Sequence, residues 1–268
     1  MTLRREDWYE LFVPSQGPPR ALLLMLHGCT QNSADFARGT RMNEWGERGG
    51  FAVLYPEQSA EANSRLCWNW FMKAHQQAGS GEPGLLLDRT RQAMAELAIA
   101  PGRVYVAGLS AGACMAAILA ARYPDFFAGV GLHSGVPLGA AASTLGALLA
   151  MRGLSRWGKD QGWSSPTLIF HGDKDNVVSV KNAERLCRQA CQTDLTTREE
   201  TLQEGGRRVR RGQFLNDQGR VQVESWVVEG LGHAWSGGSP EGAWTDPEGP
   251  DASAHLVRFF GLVGDKLE

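Results

Sequence analysis

Between residues 103 and 121 the chain turns from strand into helix through only five residues, Gly108-Leu109-Ser110-Ala111-Gly112. Before them, Val104, Tyr105 and Val106 are β-branched or aromatic and uncharged, which favours a strand. After them, residues 113–121 hold no Gly or Pro and are rich in Ala, Ile, Leu and Met, which suits a buried helix. A turn this tight forces the serine into a strained backbone and requires small neighbours that avoid Cβ clashes. It also lifts the hydroxyl clear at the carboxyl end of the strand, above a helix N-terminus that favours negative charge. With 33 glycines in 268 residues, G-x-S-x-G alone means little. Flanked by strand and helix, it has the setting of a nucleophile elbow.

The rest of the chain repeats the alternation. Residues 21–26 and 51–55 are apolar runs of strand length, the pattern of strands buried on both faces. Further strands are expected at 126–133, 167–170, 210–214 and 221–228, with an edge strand near 8–14. Helices are expected at 33–48, 85–99, 140–152, 181–191 and 253–260, the last capped by Asp251 or Ser253. Strands alternating with helices predict an α/β chain with a doubly wound, mostly parallel sheet, as one domain over 1–268. Function gathers at the carboxyl ends of strands in such sheets. Four polar clusters follow strands here: 27–31, Ser110, 173–175 and His233.

A net charge of −2 gives no basic excess to neutralise phosphates, which argues against nucleic acid as the partner. The run Arg207, Arg208, Arg210 and Arg211 reads as a solvated hairpin face. No apolar run reaches membrane-spanning length. The first residues carry no apolar signal core, so the chain as written is expected in the cytoplasm; a mature form would instead belong to the periplasm or the exterior. The five cysteines lack zinc-site spacing, and neither a metal nor a cofactor is expected. Cys114, Cys187 and Cys191 read as packing residues.

A serine hydroxyl needs a base, and the base an orienting acid. In hydrolases with this elbow the order along the chain is Ser, acid, His. His233 follows both the acid cluster and the last strand in a loop, whereas His255 lies in the last helix, His133 ends a strand and His75 is in the long loop. His27 and His171 each precede a Gly straight after a buried strand, where a ring can brace loop backbone. For the acid, Asp175 lies past its turn and is free to meet an imidazole, whereas Asp173 suits capping of the turn itself. The oxyanion hole needs two backbone N–H donors: Ala111 supplies one, and Cys29, with Thr30 as alternative, the other. Trp68, Trp70 and Phe71, with Trp235 after the base, either wall the substrate site or pack the loops to the body.

The segments 27–31 (His-Gly-Cys-Thr-Gln), 55–58 (Tyr-Pro-Glu-Gln), 67–71 (Cys-Trp-Asn-Trp-Phe), 108–115, 232–238 and 245–253 together resemble the polyhydroxybutyrate depolymerase-like esterases, relatives of feruloyl and acetylxylan esterases. The resemblance spans about residues 9–262. It implies an α/β-hydrolase fold, carboxylic-ester hydrolysis through an acyl-enzyme, and Ser110, Asp175 and His233 as the triad. Depolymerases that attack granules carry a separate polymer-binding domain, for which this chain has no room. Short 3-hydroxybutyrate-type oligoesters or other small esters are therefore the expected substrates, with feruloyl or acetyl esters, or acyl transfer to an alcohol, as alternatives. Cys29 and Cys67 fall in matching segments, in loops after neighbouring strands, and are expected to form a disulfide.

Overall fold

The computed structural model describes residues 2–6, 8–156, 162–191 and 195–264. In chain order its strands are β1 (Thr2–Glu6), β2 (Tyr9–Val13), β3 (Leu22–Leu26), β4 (Ala52–Pro56), β5 (Val104–Leu109), β6 (Gly129–His133), β7 (Thr167–Gly172), β8 (Thr196–Glu204), β9 (Arg207–Leu215) and β10 (Val221–Val228), with a short pair β11 (Trp235–Ser236) and β12 (Thr245–Asp246). The helices are α1 (Ser33–Thr40), α2 (Met42–Gly49), α3 (Gly81–Glu96), α4 (Ala111–Arg122), α5 (Thr144–Met151), α6 (Lys181–Ala190) and α7 (Ala252–Phe259).

The first ten strands form one sheet in the order β1-β2-β4-β3-β5-β6-β7-β10-β9-β8. From β4 to β10 every neighbouring pair is parallel, and the antiparallel strands lie outside this centre. Strands β3 to β7 are buried at every residue, which is why β3 and β4 read as unbroken apolar runs. Alternate side chains feed two layers. Leu22, Leu24 and Leu26 pack on one face with Leu86 of α3, the alanines of α4 and Leu186 of α6. Leu23 and Met25 face Phe36 of α1, Trp45 of α2 and Leu256 of α7. Each such buried leucine contributes about 1.5–3 kcal/mol relative to exposure.

Three local departures from the sequence reading have physical causes. The helix expected at 33–48 is broken in two at Arg41, whose φ of 53° is left-handed. The Arg41 guanidinium reaches Asp251 at 3.0 Å and the Gly237 carbonyl at 3.0 Å. Strand β2 is internal, because β1 pairs outside it. Strand β8 carries no apolar alternation, since its residues are exposed or only half-buried, and so it left no mark in the sequence. At the last helix, Asp251 is the cap, its side chain accepting from the Ala254 N–H at 3.0 Å.

Candidate active site

Ser110 sits between β5 and α4 with φ 56° and ψ −116°, a conformation that costs a non-glycine residue about 1–3 kcal/mol. The strained turn brings the start of α4 hard against the end of β3: a Cβ on Gly112 would lie 2.0 Å from the Leu26 carbonyl oxygen. The Ser110 N–H donates to the His133 carbonyl at 2.8 Å, fixing the elbow to β6. Ala111 opens α4, so its N–H belongs to the first turn, which has no acceptor within the helix.

The loop after β3 lies beside the elbow. The Gln58 N–H donates to His27 Nε2 at 3.2 Å, so the ring carries its proton on Nδ1 and donates it to the Gly28 carbonyl at 2.7 Å. Burial lowers the pKa of His27 and keeps it neutral as a brace. The Thr30 N–H is occupied by the Arg65 carbonyl at 2.7 Å, whereas the Cys29 N–H has no acceptor among the described residues. Of the two candidate donors in this loop, Cys29 is the one left available. Cys29 is bridged to Cys67, with the two Cα atoms 4.2 Å apart. Buried Glu82 anchors the other side of the bridge by accepting from Gln58 Nε2 at 2.6 Å and from the Asn69 N–H and Nδ2 at 2.7 and 2.6 Å.

Across the sheet, Asp175 and His233 meet. Asp175 Oδ2 accepts from His233 Nδ1 at 2.7 Å, while Oδ1 accepts from the N–H groups of Val177 and Val178 at 2.9 and 2.7 Å. Burial pushes the Asp175 carboxyl up, but the His233 contact and the Val178 N–H outweigh it and hold the group below the usual carboxylate range. With Nδ1–H committed to the carboxylate, His233 presents Nε2 as a proton acceptor. Asp173 serves the backbone instead: its Oδ1 accepts from the Gly230 N–H at 2.7 Å, tying the His233 loop to the end of β7. That loop crosses so close that a Cβ on Gly172 would stand 2.1 Å from the Leu231 carbonyl oxygen. The Ser110 hydroxyl does not cap α4 and makes no hydrogen bond to a described residue.

Two further histidines lie behind the site. Burial first, then the neighbouring His171 and His233, holds His133 down to about 3. Its Nε2 accepts from the Ser236 N–H at 3.1 Å. Burial likewise lowers His171, which donates from Nε2 to the Val178 carbonyl at 2.8 Å.

The aromatic residues are arranged differently from the wall expected for Trp68, Trp70 and Trp235. Trp235 is 1% exposed, stacks on His133 at 5.1 Å and donates to Ser253 Oγ at 3.1 Å. Trp68 is 3% exposed and donates to the His27 carbonyl at 3.1 Å, and Trp70 is 7% exposed against Phe71. All three are buried. The exposed ring at the site is Trp244, 45% exposed, edge-on to His233 at 5.9 Å. Sequence reasoning missed it because nothing in a polar, glycine-rich loop distinguishes an outward Trp from an inward one. Among the described residues, no group of three or more His, Cys, Asp or Glu is placed to hold a metal ion, and no helix is long and apolar enough to cross a membrane.

Residues 9–201 match the family model described as esterase PHB depolymerase. The chain belongs to that family. This PHB depolymerase-family chain is 30% identical to poly(3-hydroxyalkanoate) depolymerase C of Paucimonas lemoignei, over 94% of its own length and 66% of the relative's. It is 28% identical to poly(3-hydroxybutyrate) depolymerase of Ralstonia pickettii, over 82% of its length and 49% of the relative's. It therefore spans about half to two thirds of these curated relatives. Among solved structures, an acetyl xylan esterase from Aspergillus awamori superposes with a TM-score of 0.74 at 19% identity, covering 95% of this chain and 94% of that one. The fold of the family member is that of the α/β-hydrolases.

Proposed function

We propose that the chain is a serine carboxylic-ester hydrolase working through an acyl-enzyme, with Ser110 as nucleophile, His233 as base and Asp175 as its orienting acid. The observation that carries this reading is the 2.7 Å Asp175–His233 contact at the same sheet edge as a serine held at φ 56°. His233 Nε2 takes the serine proton as Oγ attacks the ester carbonyl carbon. The resulting oxyanion lies against the N–H groups of Cys29 and Ala111. As the tetrahedral intermediate collapses, His233 returns the proton to the departing alcohol oxygen and the acyl group stays on Oγ. Water then repeats the sequence with His233 as base, releasing the acid and restoring the serine. The relatives are named as poly(3-hydroxyalkanoate) and poly(3-hydroxybutyrate) depolymerases, and we take 3-hydroxyalkanoate-type esters, as short oligomers, for the substrate class, with acetyl esters as second choice.

The continuous sheet supports reading 1–268 as one catalytic domain. The Cys29–Cys67 bridge favours an oxidising compartment, the periplasm or the exterior, over the cytoplasm expected from the first residues. A fluorophosphonate probe tests the assignment. It should label wild type and fail on Ser110→Ala, whose turnover of 4-nitrophenyl butyrate should fall by about a million-fold. Ester hydrolysis surviving in that variant at a few per cent would overturn it.

A further inference from the structure

Trp244 is a large apolar side chain in a place where apolar groups are normally buried, and its backbone is strained. Its φ is 56°, in the left-handed region that a bulky residue avoids. The residue is held at the head of a short ladder: the Trp244 carbonyl accepts from the Trp235 N–H at 2.7 Å, and the next residue, Thr245, pairs with Trp235 where β11 meets β12. The consequence is that the ring leaves the body of the molecule and is turned towards the site. One edge of it meets the His233 imidazole, with centroids 5.9 Å apart. Its Nε1–H donates to Thr30 Oγ1 at 3.0 Å, and that hydroxyl donates to the Cys29 carbonyl at 2.6 Å. Thr30 is itself left-handed, with φ 65°. Two strained residues thus hold one indole between the base and the oxyanion loop, while 45% of its surface stays open to solvent. Strain kept at such a position points to a function rather than to packing.

Building on the hydrolase reading, we infer that Trp244 is the specificity-determining wall of the leaving-alcohol side. The argument is one of position. Around the tetrahedral carbon, the oxyanion points to Cys29 and the alcohol oxygen to His233, which protonates it. A ring that touches both His233 and the Cys29–Thr30 loop flanks the alcohol, not the acyl chain. Its exposed face offers apolar contact to the alcohol carbon chain, or to the next repeat of an oligoester. Trp68, Trp70 and Trp235 have no comparable exposed face to offer.

Kinetics on two ester series decide the matter, using wild type, Trp244→Gly and Trp244→Phe. Glycine accepts a positive φ freely, so Trp244→Gly removes the ring without adding strain. One series holds butyrate and changes the alcohol from methyl to benzyl; the other holds methanol and lengthens the acyl group from acetyl to octanoyl. In Trp244→Gly the benzyl-to-methyl ratio of kcat/KM should fall about tenfold, the range expected for loss of an apolar contact, and mainly through KM. Trp244→Phe should recover most of it, and the acyl-length profile should keep its wild-type shape. Equal losses on methyl and benzyl esters would overturn the proposal, and so would a loss that follows acyl length. The underlying hydrolase reading is judged separately, on wild type alone, by fluorophosphonate labelling of Ser110. If that labelling fails, both fall; if it stands while the alcohol ratio does not move, only the role of Trp244 falls.

Discussion

Asp173 and Asp175 lie on one turn and serve different partners, the Gly230 N–H and the His233 imidazole. Replacing Asp175 by Asn presents an amide to the imidazole and favours the wrong tautomer, so kcat should drop by about four orders of magnitude. Asp173→Asn keeps an oxygen for the Gly230 N–H and should stay within about tenfold, equivalent to about 1.4 kcal/mol of barrier. If Asp173→Asn is the more damaged variant in steady-state kinetics, the acid is misassigned. Asp175 also makes stability depend on pH. Its carboxyl is pushed up by burial but held below the ordinary range overall by His233 and the Val178 N–H. A depressed carboxyl stabilises the fold fully above the unfolded value of about 3.9, and this contribution is lost as pH falls through the lower folded value. Urea denaturation between pH 6 and pH 2.5, followed by circular dichroism, should show wild type losing more stability below about pH 4 than Asp175→Asn. Parallel curves would remove Asp175 from the acid response.

At the scale of elements, the elbow was legible because its geometry restricts composition so severely. A Cβ at Gly112 would meet backbone that has nowhere to go, 2.0 Å from the Leu26 oxygen. Gly112→Ala should therefore cost at least about 3 kcal/mol, read from the thermal midpoint. Strands β3 and β4 were legible for a similar reason, since two-sided burial favours apolar residues at every position. Other features had no such imprint. The break at Arg41 depends on long-range bonds to Gly237 and Asp251. The exposed strand β8 is held by backbone pairing with β9, which any side chain permits. Among the tryptophans, Trp235 is buried and Trp244 exposed although the Trp235 N–H donates to the Trp244 carbonyl beside the same short ladder. Spacing along the chain carries no information on that difference. The Cys29–Cys67 bridge joins two elements at the site and closes a loop with a sequence separation of 38. In the chain-entropy model that is worth about 4 kcal/mol. Cys67→Ser should then lower the melting temperature by about 10 °C. An unchanged midpoint would show the loop to be held by Glu82 and its partners alone.

Across the whole molecule, the site depends on a hairpin at the far edge of the sheet. Arg207, the first residue of β9, donates from Nη2 to Asp246 at 2.7 Å, and the Gly249 N–H donates to the Gly205 carbonyl at 2.7 Å. Asp246 is the end of β12, and its carbonyl accepts from the Gly238 N–H at 3.1 Å. The tip between β8 and β9 thus clamps the segment that pairs with β11, immediately after His233. The basic run read as a solvated face is therefore only partly so: Arg207 is a tie between sheet edge and base loop, and Arg211 bonds Glu200 and Glu224 at 2.9 and 2.8 Å. Removing the Arg207 side chain leaves the carboxylate of Asp246, mostly shielded from water, without its cationic partner. Arg207→Ala should lose about 1–3 kcal/mol of stability. Hydrogen exchange locates the effect. The amides of Trp235 and Gly238, which bond across the β11–β12 pair, should exchange faster in the variant, together with those of the hairpin. Since Trp244 directly precedes β12 and accepts from the Trp235 N–H, activity on benzyl esters should fall with them. Faster exchange confined to β8 and β9 would mean that the hairpin is an independent appendage and that the base loop stands without it.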